Sequence, residues 1–188
     1  MIITIARQSG SRGHEIGKRL AAHYGIPFYD KEALFQKAKE KGVYDEMESF
    51  LSEKPLNSLL YAIVMENSEE NLNHREFDAL KSLITDESFV LLGRCGNLLY
   101  RSHPDCYSFF LHGNHADCVE RTMKRYNLSR QQAEKQLEEV DNKRRTFQKH
   151  YTGQQWNDSR NYDMCINVDR NGAEKTLQVI ESYIDMNQ

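Results

Sequence analysis

Ile2-Ile3-Thr4-Ile5-Ala6-Arg7-Gln8-Ser9-Gly10-Ser11-Arg12-Gly13-His14-Glu15-Ile16 decides the reading of this chain. Residues 2–6 form a short, continuously apolar run, the length and composition of a buried strand. A polar loop with two glycines follows at 7–13. The pattern then turns helical, with Ile16, Leu20 and Ala21 spaced for one face. A strand, a glycine-containing loop and a helix N-terminus together make a phosphate cradle. Free backbone N–H groups and the positive end of the helix dipole point at one spot.

The cradle departs from the usual pattern. A standard phosphate-binding loop reads G-x-x-x-x-G-K-S/T, with Lys on the β- and γ-phosphates and a hydroxyl on Mg²⁺. With Arg7 in the first glycine slot, Arg12 falls in the second, Gly13 on the Lys and His14 on the Ser/Thr. Lys18 lies a full turn into the helix. From these residues alone the segment is either a divergent phosphate loop or an ordinary strand-turn-helix connection.

Working outward, strand-length apolar runs recur at 26–29, 89–92, 106–111 and 162–168. Most are continuous rather than alternating, as in parallel strands covered on both faces. Helical patterns fall at 14–24, 31–41, 56–65, 75–85, 115–126, 130–149 and 173–185. The alternation predicts one doubly wound, parallel α/β sheet with right-handed crossovers. Residues 31–88 are too long for a single crossover and read as a helical sub-region. Residues 127–161, a charged excursion between two core strands, read as a lid. Residues 1–30, 89–126 and 162–188 are then the core of a single domain, 1–188. Ser129 is the expected N-cap of the lid helix, with Gln132 at its N3 position.

In an open α/β sheet, ligands bind beyond the carboxyl ends of the strands. Residues 7–13, Asp30, the Gly93-Arg94 pair and residues 112–114 are therefore expected on one rim. Arg7, Arg12 and Arg94 would make an anion site there.

Composition narrows the classes. The chain has 188 residues, 39% hydrophobic and 28% charged, with a net charge of −3. Neither a membrane span nor a basic, then apolar, secretory leader is legible, so a cytoplasmic protein is expected. The net charge offers no global argument for nucleic acid. The distribution is uneven: residues 40–90 hold twelve Asp/Glu against four Lys/Arg, and residues 121–149 hold nine Lys/Arg against four Asp/Glu. The second stretch is either a solvated helix face or a surface that meets phosphates. Cys95, Cys106, Cys118 and Cys165 have no zinc spacing. Cys95, Cys106 and Cys165 lie in or beside apolar runs, which predicts small buried residues.

These segments resemble the nucleoside monophosphate kinases, and specifically the cytidylate kinase-like group, over nearly the whole chain. Residues 3–16 are similar to that group's divergent loop, which reads like S-R-E-x-G-S-G-G-R-E-I. Gly25-Ile26-Pro27-Phe28-Tyr29-Asp30-Lys31 looks like its second strand, and Val90-Leu91-Leu92-Gly93-Arg94-Cys95 like its central strand with the following G-R pair. Tyr151-Thr152-Gly153, Trp156-Asn157-Asp158 and Tyr162-Asp163-Met164-Cys165-Ile166-Asn167 are the most specific block.

The resemblance implies a P-loop NTPase-like three-layer fold with a five-stranded parallel sheet, a helical NMP-binding sub-region and a helical lid. It implies transfer of the ATP γ-phosphoryl group, with Mg²⁺, to a nucleoside monophosphate, CMP or dCMP first. Small-molecule nucleotides are the implied partners, with no nucleic acid and no membrane. Ser9, Gly10, Ser11, Arg12, Gly13, His14 and Glu15 would wrap the donor phosphates. Glu15 would hold the metal, or is simply an acid favoured in a first helical turn. Arg94 matches the arginine that meets the acceptor monophosphate. Arg144 and Arg145 resemble lid arginines. Asp30, Lys37 and Asp158 would bind substrate. Arg12 stands where even the divergent group has Gly, and would either block the phosphates or replace the missing cation. Gln36 stands near the place of an acceptor arginine, and Cys95 replaces an aspartate. A binding protein that has lost turnover and a kinase of a non-nucleotide small molecule are the alternatives.

Overall fold

Strand β1 (Ile2–Arg7) lies at the centre of the sheet, hydrogen-bonded on one side to β3 (Phe89–Leu92) and on the other to β4 (Cys106–His112). With β2 (Phe28–Tyr29) and β5 (Met164–Asn167) at the edges, the order is β2-β3-β1-β4-β5 and every pair is parallel. The computed structural model describes residues 1–52 and 72–188. The helical pattern at 56–65 lies outside them.

Side chains alternate across β1 and β3, and this alternation builds two cores. Ile3, Ile5, Val90 and Leu92 face α1 (Gly13–Tyr24) and α8 (Val168–Met186), meeting Leu20, Ile180 and Ile184. Ile2, Phe89 and Leu91 face the opposite layer. There they meet α2 (Lys31–Glu40), α3 (Tyr44–Leu51) and α4 (Leu72–Leu83) through Leu34, Phe50 and Leu80. The result is the expected three-layer α/β sandwich. Each fully buried Leu, Ile or Phe contributes about 1.5–3 kcal/mol.

The remaining helices are α5 (Gly96–Leu99), α6 (His115–Tyr126) and α7 (Arg130–Thr152). Ser129 caps α7 by accepting from Gln132 N, while Gln132 Oε1 accepts from Ser129 N at 2.9 Å. An amide thus closes the capping box that an acid usually closes. Helix α7 is continuous from surface to core. Its Ala133 and Leu137 pack on α6, whereas Phe147 and Tyr151 enter the core beside Phe50. Two helices were not anticipated: α3, at two turns, repeats its period too few times to stand out, and α5 is a single turn. Cys165 corrects its reading as buried. It is exposed on edge strand β5, where its neighbour Ile166 takes the core-facing position. Among the described residues, no helix is long and apolar enough to cross a membrane.

Candidate active site

The loop after β1 is shaped by close approach. A Cβ on Gly10 (φ 75°) would stand 2.9 Å from the Cβ of Cys118 on α6, and a Cβ on Gly13 would stand 2.7 Å from that of Arg7. Only glycine lets the loop lie against both. Arg12 is the N-cap of α1, with φ 61° and no side-chain capping bond. The first N–H groups of a helix have no intrahelical partner, so this uncapped end suits an anion. The Arg12 guanidinium leans toward Glu15 at 3.9 Å, both side chains partly in solvent.

A clamp from two distant helices holds the loop. Arg121 of α6 donates through Nε to the Gly10 carbonyl at 2.6 Å. Its Nη1 and Nη2 donate to Asp169 at 2.6 and 2.9 Å, and Asp169 also accepts from Asn114 N at 2.8 Å. The Arg121 hydrogen bonds, foremost, hold the Asp169 carboxyl below its usual range.

The turn after β3 is more strained. Gly93, Arg94 and Cys95 take φ of 84°, 57° and 55° in succession. Among the described residues only four non-glycines have positive φ, and three of them, Arg12, Arg94 and Cys95, sit on the loops after β1 and β3. Such backbone costs about 1–2 kcal/mol per residue and gathers at functional sites. Here it turns Arg94 inward, to 3% exposure, where Nη2 donates to the Leu51 carbonyl at the end of α3, at 2.5 Å. Arg94 shares a small cavity of about 20 Å³ with Arg7, Asn97, Arg144, Gln148 and Trp156. Among the described residues, no carboxylate lines it. Arg144 donates to the Arg7 carbonyl at 3.0 Å and to Asp141 at 3.1 Å, and its Nε is buried without a hydrogen-bond partner. Asp141 accepts from Ser9 N at 2.8 Å, and burial pushes its carboxyl up despite these donors.

Beside the cavity, a cleft of about 510 Å³ is lined by Ser9, Gly10, Ser11, Arg12, Gly13, His14 and Glu15, by Asp30, and by Arg144. His14 Nε2 meets Asp30 Oδ2 at 2.9 Å. The other Asp30 oxygen caps α2, accepting from Ala33 N at 3.0 Å. Burial would raise the Asp30 carboxyl, but these two hydrogen bonds outweigh it and hold the group low.

Three expected residues are not brought to the cleft or the cavity. Lys37 stands over the Tyr29 ring at 5.1 Å, with Asp86 at 3.7 Å. Asp158 caps the turn Ser159–Asn161 and pairs with the exposed Arg160 at 2.6 Å. Arg145 turns to Asn142 on its own helix. One helical position, about 100° of rotation, separates it from Arg144. Trp156 is 4% exposed and packs edge-on to Phe110 at 5.1 Å. Arg121 and Asp169 were missed as loop holders. The basic surplus at 121–149 was the signal for Arg121; Asp169 had none.

Comparison with known proteins follows the same lines. A family model described as the cytidylate kinase-like family matches residues 2–170. A cytidylate kinase from Pyrococcus horikoshii is 24% identical over 186 residues, covering 98% of this chain and 88% of that protein. An uncharacterized protein from Eubacterium ventriosum has a crystal structure similar to this one, with a TM-score of 0.76 and 28% identity over 98% of both chains. A gluconokinase from Sinorhizobium meliloti, at 18% identity and a TM-score of 0.54 over 98% of this chain and 93% of that one, is alike in fold.

Proposed function

The chain belongs to the cytidylate kinase-like family, and from that premise we propose that it transfers the γ-phosphoryl group of ATP to a nucleoside monophosphate, with CMP and dCMP as the first acceptors to test. The observation that carries this reading is the cavity lined by Arg7, Arg94 and Arg144 and, among the described residues, by no carboxylate, next to the uncapped end of α1. Phosphoryl transfer asks a protein for position and for positive charge around the moving group, with little covalent chemistry of its own. Backbone N–H groups of residues 10–15 would hold the donor phosphates. Arg12, at the rim of the cleft, supplies the cation that a loop lysine supplies elsewhere. Arg94 and Arg144 would face the acceptor phosphate from opposite walls, and α7 would close as the lid.

Glu15 and Asp30 line the cleft with the loop. Mg²⁺ keeps several waters and needs only one or two carboxylates besides phosphate oxygens, so Glu15 would hold it, both Asp30 oxygens being engaged by His14 and Ala33 N. When bound, the ion would neutralise charge on the β- and γ-phosphates.

The His14–Asp30 pair favours a second reading. A phosphate acceptor is already anionic and needs no base, whereas a hydroxyl acceptor must lose a proton. A carboxylate-oriented imidazole beside the loop suits a hydroxyl acceptor on a non-nucleotide small molecule. One experiment separates the two: chromatography of products from Mg-ATP with CMP, dCMP, UMP, AMP and GMP. A diphosphate from CMP or dCMP supports the first reading. No diphosphate, from folded protein that still binds ATP, supports the second, or a protein that binds without turnover.

A further inference from the structure

The cavity beside Arg94 holds one polar group that the chemistry above does not use. Gln148 of α7 is 2% exposed and lines that cavity with Arg7, Arg94 and Arg144. It follows Arg144 by one helical turn, the spacing that puts two side chains on the same face. Its Nε2 is buried and, among the described residues, has no hydrogen-bond partner. Tyr162 is close by, but the Tyr162 hydroxyl donates to the Trp156 carbonyl at 2.6 Å. The Arg144 Nε is buried in the same condition.

A buried donor without an acceptor destabilises a fold, and native proteins carry few of them. Two such donors at one cavity, one turn apart on a helix, fit a guest that accepts and has nothing to give. The cavity has room for about one water-sized atom, so a whole phosphate does not enter it. Arg7 and Arg144 line both the cavity and the larger cleft, so the two spaces adjoin. A phosphate at their junction would put one oxygen into the cavity and keep the rest in the cleft.

We propose that Gln148 is a neutral donor to the acceptor phosphate, its Nε2 meeting the oxygen that enters the cavity. This assignment rests on the reading of a monophosphate acceptor beside Arg94. The contact is made to bound substrate and transition state alike, so its loss should raise KM and spare kcat. The test measures both constants, at saturating Mg-ATP, for the monophosphate that gives most product in the chromatographic assay, together with the Tm of each free protein. Gln148→Leu keeps the bulk and removes the donor. Its KM should rise about tenfold with kcat within about threefold of the wild type. Its Tm should rise by about 2–4 °C, because an unsatisfied group leaves the interior. Gln148→Glu sets a carboxylate among the arginines where the phosphate oxygen would lie. It should raise Tm and raise KM at least about a hundredfold. A lower Tm with unchanged KM in Gln148→Leu would make the residue a packing element and overturn the proposal. A wild-type KM in Gln148→Glu would also overturn it, since a carboxylate cannot donate. Folded wild-type protein that gives no product from any monophosphate would remove the acceptor reading itself, and this proposal with it.

Discussion

The backbone N–H of Ser9 donates to the carboxylate of Asp141 at 2.8 Å, across 132 residues of chain. This bond joins the loop after β1 to the middle of α7, and the Arg144 bonds to Asp141 and to the Arg7 carbonyl reinforce it. A hydrogen bond to a charged group contributes about 1.5–3 kcal/mol, and the burial that raises the Asp141 carboxyl offsets part of this. A net tie of about 1 kcal/mol is expected. Asp141→Ala should therefore speed protease nicking within 127–155 about fivefold, and ATP with acceptor should slow it in the wild type. Equal cleavage rates under all conditions would remove the lid from the mechanism.

Arg94 is expected to act on both fold and turnover. Arg94→Ala strands the Leu51 carbonyl in the interior, a cost of about 2 kcal/mol by urea unfolding. Arg94→Lys can keep one bond while losing the planar fork. It should stay folded and lose about a hundredfold in kcat. Full activity in Arg94→Lys would show that the acceptor does not depend on the guanidinium.

Arg12 carries opposite expectations for stability and binding. Its φ of 61° is strained for any residue with a Cβ. Arg12→Gly relieves that strain but adds freedom to the unfolded chain, so stability should change by less than about 1 kcal/mol. If Arg12 serves as the loop cation, the same variant weakens ATP about tenfold, and Arg12→Glu abolishes the ATP-induced rise in Tm. Tighter ATP binding by Arg12→Gly would instead identify the side chain as an obstruction.

The Arg121–Asp169 pair predicts a pH dependence of stability. Asp169 has a depressed carboxyl in the folded state, chiefly through Arg121. Its stabilisation is therefore present above the ordinary aspartate value of about 3.9 and is lost as pH falls through the lower folded value. Asp169→Asn should cost on the order of 1–2 kcal/mol at pH 6. The gap from the wild type should shrink steadily below about pH 4 in urea titrations. A gap that is constant from pH 6 to pH 3 would mean that the pair contributes packing rather than charge.

What the residues determined by themselves was local. Short, largely apolar runs marked the five strands, because the central strands β1, β3 and β4 are covered on both faces and must be mostly apolar. The Gly-rich turn into Ile16 and Leu20 marked the cradle, and Ser129 with Gln132 marked the start of α7, because caps and helical periods are written within a few neighbouring positions. Tertiary structure alone decided the order β2-β3-β1-β4-β5 and the meeting of Gly10, Arg121 and Asp169. It also decided that Arg144 reaches the loop while Arg145 turns back to Asn142. No local pattern encodes these contacts. They arise when parallel strands align in register, and the helices between them are then carried to fixed positions above the strand ends. The inward turn of Arg94 belongs to the same class, since its strained backbone persists only where the surrounding packing holds it.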